Sequence, residues 1–247
     1  LFPYTTLFRS RPLPKSRSST DTRRLARHPV RNHHIRDGAQ APSLHSPLTR
    51  ILMKVLVINA GSSSCKYQLL EMDTETVLAS GLAERIGQGM GKLTHKIAPD
   101  SDHEEKIVRE SAFPTHVEAM ELVISLLTDP EKGVIKDKSE IYAIGHRVLH
   151  GGESITETVK VDENVKQIIR DCFPLGPLHN PANLMGIEVA EKLFPGVPNV
   201  AVFDTEFGMA MPQEAYMYGL PYEIYEEMHI RRYGFHGTSH KYIAKKI

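Results

Sequence analysis

From Met53 onward the sequence predicts an α/β domain in which a mixed sheet is flanked by helices. Strand patterns joined by a tight turn come first, and strand patterns then alternate with helical ones. In addition, the polar residues Asn59, Arg147 and Asp204 each follow an apolar run with the length of a buried strand. Ligands gather at such strand ends in open α/β sheets, so we expect a ligand site there.

The first predicted elements form a hairpin. Lys54–Asn59 reads KVLVIN and Lys66–Met72 reads KYQLLEM, with the turn-forming AGSSS between them. A third strand is predicted at Val77–Glu84. The next pattern is a helix at Val117–Leu127, whose apolar residues recur at helical spacing behind a Thr-x-x-Glu capping box.

The second half alternates strands with helices. We predict, in order, a strand at Ile141–Ile144, a loop at 145–153, a helix at Asp162–Cys172, a helix from Asn180 to about Phe194 and a strand at Asn199–Asp204. Asn180 followed by Pro181 is typical of an N-cap and a first helical turn. Thr238 or Ser239 is expected to cap a last helix.

Composition excludes several classes of protein. The chain is 40% hydrophobic and 24% charged, as ordinary globular proteins are. No apolar run approaches the roughly 18 residues that cross a bilayer, so we expect no membrane partner. Cys65 and Cys172 are the two cysteines. Such sparse use favours inert thiols in a reducing, cytoplasmic compartment.

Residues 1–52 differ from the remainder in charge. They contain 10 Arg and Lys against two Asp, a surplus of +8, whereas residues 53–247 contain 20 basic and 28 acidic residues, a balance of −8. LFPYTTLFRS, at residues 1–10, resembles the translation of a sequencing-adaptor oligonucleotide, and no Met precedes Met53. We interpret residues 1–52 as a disordered or artefactual leader. A transit peptide and a basic arm that binds nucleic acid are lower-ranked alternatives, so we expect no nucleic-acid partner.

Two glycine-containing segments could bind anions. NAGSSSCK, residues 59–66, combines small residues, hydroxyls and Lys66, which suit a phosphate, although a plain hairpin turn explains the same pattern. It is not a Walker loop, because GxxxxGK[ST] is absent. GHRVLHGGE, residues 145–153, presents Arg147, whose planar fork can hold a carboxylate. The alternative is a structural pair of Arg147 with Glu153.

Three later segments present further candidates. PLHNPAN, residues 177–183, exposes His179 either to a phosphate or as a capping or packing residue. FDTEF, residues 203–207, places Asp204 at a strand end, where a buried carboxylate needs a metal, an Arg or a hydroxyl as partner. RRYGFHGTSH, residues 231–240, holds His236 in a glycine-flanked turn that could reach a transferring phosphoryl group. The histidine spacings match no metal motif.

Five motifs in one order, MKVLVINAGSSS, GHRVLHGGE, PLHNPAN, VAVFDT and YGFHGTSHKY, closely resemble the acetate kinase family over residues 53–247. The resemblance implies a ribonuclease-H-like domain of the superfamily that contains acetate and sugar kinases, heat-shock ATPases and actin. It also implies ATP or ADP as co-substrate, Mg²⁺ or Mn²⁺ as cofactor and a homodimer when the protein is full length.

The resemblance assigns a role to each matching position. It places Asn59 at the metal, Ser62, Ser64 and Lys66 at the nucleotide phosphates, Arg147 at the acetate carboxylate, Leu149, Leu178 and Phe235 around the methyl group, His179 and His236 at the phosphoryl group, and Asp204 as an essential proton donor or acceptor. Acetate is already ionised at neutral pH, since its pKa is near that of Glu at roughly 4.3. We therefore hypothesise that Asp204 instead orients Arg147, a second arginine or the hydrated metal.

The implied reaction is reversible transfer of the ATP γ-phosphoryl group to acetate. Propionate or butyrate as acceptor, and a non-catalytic actin-like nucleotide-binding module, are the alternatives. The sequence departs from the family's pattern at Glu206, Gly208 and Met209, where the resemblance predicts Ala, His and Gln, and Cys65 replaces a leucine. The family's second domain is expected to be truncated at Ile247, so we expect the chain alone to be inactive.

Overall fold

An eight-stranded sheet organises the molecule. The structure, a computed structural model, describes residues 53–247, which lie in one compact unit. The predicted leader lies outside the described residues. The strands are β1 (Lys54–Ala60), β2 (Ser64–Glu71), β3 (Thr76–Glu84), β4 (Met90–Ile97), β5 (Glu105–Ala112), β6 (Ile141–Val148), β7 (Val159–Lys160) and β8 (Asn199–Phe203).

Six α-helices are present in the described part of the chain. They are α1 (His116–Leu127), α2 (Glu163–Asp171), α3 (Asn180–Leu193), α4 (Gln213–Tyr216), α5 (Tyr222–Met228) and α6 (Gly237–Lys246). Short 3₁₀ helices occupy Lys138–Glu140 and Glu206–Ala210. None of the helices within residues 53–247 is both long enough and apolar enough to cross a membrane.

The sheet is mixed, as predicted. Its order is β5-β4-β3-β2-β1-β6-β8-β7. β1 to β5 form an antiparallel meander, whereas β1, β6 and β8 run parallel and β7 is antiparallel to β8. The carboxyl ends of the three parallel strands therefore meet at one edge, where ligands bind in such sheets.

The two faces of β1 pack against different layers. Leu56, Ile58 and Ala60 belong to the main core, which also contains residues of α1 and α3. Val55 and Val57 lie on the other face, in a smaller cluster with Leu70. Because side chains alternate between faces along a strand, Asn59 lies on the side of Val55 and Val57, away from α1 and α3.

Helix α1 begins at the capping box that the sequence predicts. The Thr115 hydroxyl accepts from the Val117 N–H at 3.1 Å, and the Glu118 carboxylate accepts from the Thr115 N–H at 2.8 Å. These bonds satisfy backbone donors that have no partner inside the helix.

Three strands were missed in the sequence, namely β4, β5 and the two-residue β7. β4 buries Gly91, Leu93 and His95 on alternate positions, and β5 is mostly exposed and charged. The strand signal depends on alternating large apolar residues, and these segments instead contain Gly, His, Lys and Glu. The arm β4–β5 is thus an extension of the meander that periodicity alone does not indicate.

Three predicted boundaries were wrong. β6 continues to Val148, so residues 145–148 belong to the strand rather than to a loop. The N-cap of α3 is His179, not Asn180, because the Asn180 amide is occupied by backbone groups of His150. Neither Thr238 nor Ser239 caps α6. His236 takes that position, and the Thr238 hydroxyl is buried without a hydrogen-bond partner.

Candidate functional site

Three predicted site residues share one face of the sheet at the carboxyl ends of the parallel strands. Asn59 of β1 lies opposite Lys66 of β2 in the hairpin register, so their side chains are on the same face. Ile58 pairs with His146 in the parallel register of β1 and β6. The next step of that register sets Arg147 on the face of Asn59.

Arg147 and Asp204 form a two-bond ion pair. The guanidinium Nε donates to Oδ1 of Asp204 at 3.1 Å and Nη2 donates to Oδ2 at 2.7 Å. The Asp204 side chain is 1% exposed and that of Arg147 is 26% exposed. This fork geometry holds the guanidinium in one plane. It agrees with the hypothesis that Asp204 orients Arg147.

Glu153 is not the partner of Arg147, contrary to the alternative considered from the sequence. Its carboxylate accepts from Arg231 Nη1 at 2.6 Å and from the Tyr225 hydroxyl at 3.1 Å. Burial alone would raise the pKa of Glu153, but the bonds from Arg231 and Tyr225 lower that pKa below its ordinary value. The Arg231 guanidinium also lies 3.7 Å from the ring centroid of Tyr216.

The turn that carries His236 is bonded to the backbone of Asp204. The Gly237 N–H donates to the Asp204 carbonyl oxygen at 2.9 Å. A Cβ on Gly237 would lie 2.3 Å from that oxygen, so only glycine permits this approach. His236 itself is exposed and has a φ of 58°. The structure therefore fixes the backbone next to His236 against the backbone of Asp204.

Position 208 explains one departure from the family's pattern. A Cβ on Gly208 would lie 1.8 Å from the Tyr233 carbonyl oxygen, so a histidine there would displace the turn before His236. Glu206 bonds to Lys241 of α6 at 2.5 Å and accepts from the Thr158 hydroxyl at 2.9 Å. Glu206 thus bonds the segment after Asp204 to Lys241 and Thr158, and Gly208 lets that segment lie close to the Tyr233 backbone.

The loop after β6 is held by side chains. Each of four consecutive backbone N–H groups donates to a side-chain acceptor. The pairs are Leu149 with Asn183 Oδ1 at 3.0 Å, His150 with Asn180 Oδ1 at 3.1 Å, Gly151 with Thr205 Oγ1 at 3.3 Å and Gly152 with His150 Nδ1 at 3.0 Å. These donors are consequently occupied, and the loop is a fixed support rather than an anion cradle.

His150 is neutral in this environment. Burial lowers its pKa to about 4. Since Nδ1 accepts from the Gly152 N–H, the ring proton resides on Nε2. The His150 ring meets the ring of Tyr233 edge-on at 4.4 Å and that of Phe235 at 5.8 Å. No role was predicted for His150 from the sequence, although it lies inside the motif at residues 145–153.

The predicted acyl pocket is only partly assembled. Leu149 is half-buried, and its Cδ2 lies 3.1 Å from where a Cβ on Gly176 would be. Phe235 is 44% exposed beside His150, whereas Leu178 is 79% exposed. His179 is exposed and its side chain makes no cap bond. Leu149 thus lies in the loop after β6 and Phe235 lies beside that loop, at His150, whereas Leu178 and His179 are on the surface.

The turn between β1 and β2 is fixed by its own backbone and by α1. The Gly61 N–H donates to the Ser64 carbonyl at 2.8 Å, and His116 Nε2 bonds to the Gly61 carbonyl at 2.8 Å. Ser62 and Lys66 are exposed and Ser64 is half-buried. These side chains are accessible to a phosphate at the edge that holds Arg147.

The protein ligands for a metal ion are few. Within residues 53–247, no group of three or more His, Cys, Asp or Glu is placed to hold a metal. Asn59 contributes an amide oxygen, a suitable donor for Mg²⁺, but one such atom does not form a site.

The cavity of about 540 Å³ beside Lys54 and Glu140 contains none of the predicted site residues. Cys65 and Cys172 are buried, and burial raises their pKa to about 12 and about 11.

Solved structures with the same mixed sheet are acetate and propionate kinases, so this α/β domain has the actin-like ATPase fold. More narrowly, the chain belongs to the acetokinase family, whose model matches residues 54–247. The chain spans about half the length of the curated relatives it matches.

Individual relatives agree with that family. The chain is 80% identical over 192 residues to the acetate kinase of Desulfovibrio desulfuricans, which covers 78% of this chain and 48% of the relative. The crystal structure of Porphyromonas gingivalis acetate kinase matches with a TM-score of 0.74 and 46% identity, over 78% of this chain and 48% of that one. A propionate kinase from Francisella tularensis matches with a TM-score of 0.72 and 37% identity, over 79% and 48%.

Proposed function

We propose that the complete protein transfers the γ-phosphoryl group of ATP reversibly to acetate, forming acetyl phosphate and ADP. The observation that carries this proposal is the two-bond pair of Arg147 and Asp204 at the carboxyl edge of the parallel strands. A guanidinium held in one plane is suited to a small carboxylate, and acyl phosphates form when such a carboxylate attacks phosphorus.

In this mechanism the residues align charges and move no proton. A carboxylate oxygen of acetate attacks the γ-phosphorus, the bond from that phosphorus to the β–γ bridging oxygen breaks, and ADP leaves with the bond's electrons. Arg147 orients the carboxylate and reduces its repulsion from the phosphate. His236 and Lys66 place positive or hydrogen-bonding groups near the phosphoryl oxygens, where charge accumulates. Asp204 fixes Arg147.

The metal does not enter these steps. We propose that Mg²⁺ or Mn²⁺ binds with the nucleotide and neutralises phosphate charge, with Asn59 as a protein contact. The single amide oxygen supports no further assignment. We also propose a cytoplasmic homodimer as the working form. The sparse, buried cysteines support the compartment, and the resemblance to the family supports the dimer.

Propionate is the second candidate acceptor, because the similar structure from Francisella tularensis is named a propionate kinase. One methylene in an apolar pocket changes specificity by only about 1–3 kcal/mol, so we expect propionate to react more slowly than acetate rather than to be excluded. Butyrate requires still more room beside Leu149 and Phe235. A non-catalytic actin-like module does not account for Arg147 and Asp204 at the ligand edge.

The test joins residues 53–247 to the second half of the Desulfovibrio desulfuricans acetate kinase. We expect this hybrid to form acetyl phosphate from ATP and acetate, faster than it forms propionyl or butyryl phosphate. An Arg147→Lys hybrid keeps the charge but loses the fork, so its kcat/KM for acetate should fall about 100-fold. The 247-residue chain alone serves as the blank. A folded hybrid that binds ATP but forms no acyl phosphate would refute the proposal.

A further inference from the structure

The amide of Asn183 joins two parts of the candidate site. Its Nδ2 donates to the carbonyl oxygen of Ala60 at 2.9 Å, and its Oδ1 accepts from the N–H of Leu149 at 3.0 Å. Ala60 is the last residue of β1, directly before the phosphate-side turn. Leu149 follows the last residue of β6 and lies two residues after Arg147.

This amide bridges the strands where their own ladder has ended. The parallel register of β1 and β6 is formed up to Ile58 and His146. Asn183 links the chain just beyond those residues on both strands, and it is 6% exposed, so water does not compete for its bonds. The Asn183 side chain therefore connects the ends of β1 and β6 where no backbone pairing joins the two strands.

Helix α3 is seated tightly on the end of β1. A Cβ on Gly186 would lie 2.6 Å from the Cβ of Ala60, so glycine is required at this contact. Gly186 lies three residues after Asn183 and hence on the same face of α3. The close approach and the Asn183 bond independently fix the position of the helix relative to Ala60.

The other side chains that hold the loop after β6 do not reach β1. Asn180 bonds to the backbone of His150 and Ile169. Thr205 accepts from Gly151, and His150 accepts from Gly152. Among these acceptors in the described part of the chain, Asn183 is the one that also bonds to β1.

We propose that Asn183 is a positioning residue that sets the separation between the phosphate-side turn at residues 61–64 and the carboxylate-side Arg147. The inference rests on the proposed phosphoryl transfer. In that reaction the attacking oxygen and the phosphorus must be aligned, and a misplacement of about 1 Å costs on the order of 100-fold in rate. Asn183 touches neither substrate. It acts through Ala60 and Leu149.

The experiment uses the hybrid enzyme with Asn183→Ala and Asn183→Asp. Alanine removes both bonds, and aspartate keeps the acceptor for Leu149 but removes the donor to Ala60. We expect kcat to fall about 100-fold and at least about 10-fold, respectively, while the KM for acetate and for ATP stay within about threefold. A lower kcat with nearly unchanged KM values is expected when both substrates still bind but are misaligned with each other.

Asn199→Ala is the matched control. Asn199 is also 6% exposed, and its amide likewise makes two bonds, to His146 and to the Val197 carbonyl. It lies at the opposite end of β8 from Asp204. This variant should lower Tm about as much as Asn183→Ala and change kcat by less than about threefold.

Two results separate this inference from the proposed function. An unsubstituted hybrid without acyl-phosphate formation would overturn the function and with it the positioning role. An active hybrid in which both Asn183 variants retain kcat, or lose it only in parallel with Asn199→Ala at equal Tm, would overturn the positioning role alone. If Asn183→Ala does not fold, Asn183→Asp decides.

Discussion

The pair of Arg147 and Asp204 shows how one buried carboxylate organises the residues around it. The Asp204 carboxylate fixes the guanidinium, and its backbone carbonyl fixes Gly237 beside His236. Asp204 therefore holds Arg147 through its side chain and the turn of His236 through its backbone. Acetate is already ionised at neutral pH, so its attack on phosphorus needs no carboxylate to remove a proton.

We predict that Asp204→Asn in the hybrid enzyme raises the KM for acetate and lowers kcat/KM about 10- to 100-fold, because an amide accepts only one of the two Arg147 bonds. The slope of kcat/KM against pH should stay unchanged, since no catalytic base is lost. Steady-state rates at several acetate concentrations and pH values measure both effects. Asp162→Asn, which keeps a helix cap far from the edge, is the control. A normal KM for acetate in Asp204→Asn would exclude the orienting role.

At the residue scale, charged groups at strand ends were predictable and their supports were not. Arg147 and Asp204 follow apolar runs, so their place at the ligand edge follows from strand topology. Asn183, Thr205 and His116 act through backbone atoms that are distant in sequence. A sequence pattern does not show which backbone group a buried amide or hydroxyl will meet.

At the scale of elements, short polar networks hold irregular segments to the sheet. Glu153, in the loop after β6, binds Arg231, Tyr225 and, at 3.2 Å, His229. These partners lie in or after α5, a helix of seven residues with no buried side chain. Packing contributes little there, so Glu153 anchors the segment. The capping box of α1 was predicted because it is local, whereas this network and the strands β4 and β5 were not.

We predict that Glu153→Gln lowers the free energy of unfolding by about 3 kcal/mol or more, because it leaves the buried guanidinium of Arg231 without a counter-charge. Urea denaturation of the hybrid enzyme measures the loss. Glu188→Gln is the matched change. It breaks an exposed pair with Arg170, whose side chains are 47% and 38% exposed, and should cost less than about 1 kcal/mol. Equal losses in the two variants would contradict the anchoring role.

At the scale of the whole molecule, three of the four buried histidines in residues 53–247 make the stability of the fold depend on pH. His95, His146 and His150 are all at most 2% exposed, and burial lowers the pKa of each from 6.5 to about 4. His95 and His146 lie within the sheet, and His150 supports the site loop. Unfolding exposes all three to water, where they bind protons near pH 6.5. The mixed sheet could be predicted from the sequence, but not the strand order that buries these rings.

We predict that stability is fully present above about pH 6.5 and falls as the pH drops toward 4, because the unfolded chain then binds protons that the folded chain excludes. Each histidine should contribute about 2 kcal/mol of loss between pH 7 and pH 5. Urea denaturation at intermediate pH values measures the slope. His95→Gln should reduce it by about a third. A slope that the substitution leaves unchanged would show that other groups cause the acid sensitivity.

The order of the strands also has a consequence for synthesis on the ribosome. β1 to β5 pair with their neighbours in the chain, so this meander can form as soon as residues 54–112 have emerged. β6 and β8 are added afterwards, and α3 with Asn183 is translated between them. The residues of this edge on β6 and after β8 are therefore translated after all five strands of the meander. A chain interrupted before β8 would contain the five meander strands but lack Asp204, the partner of Arg147.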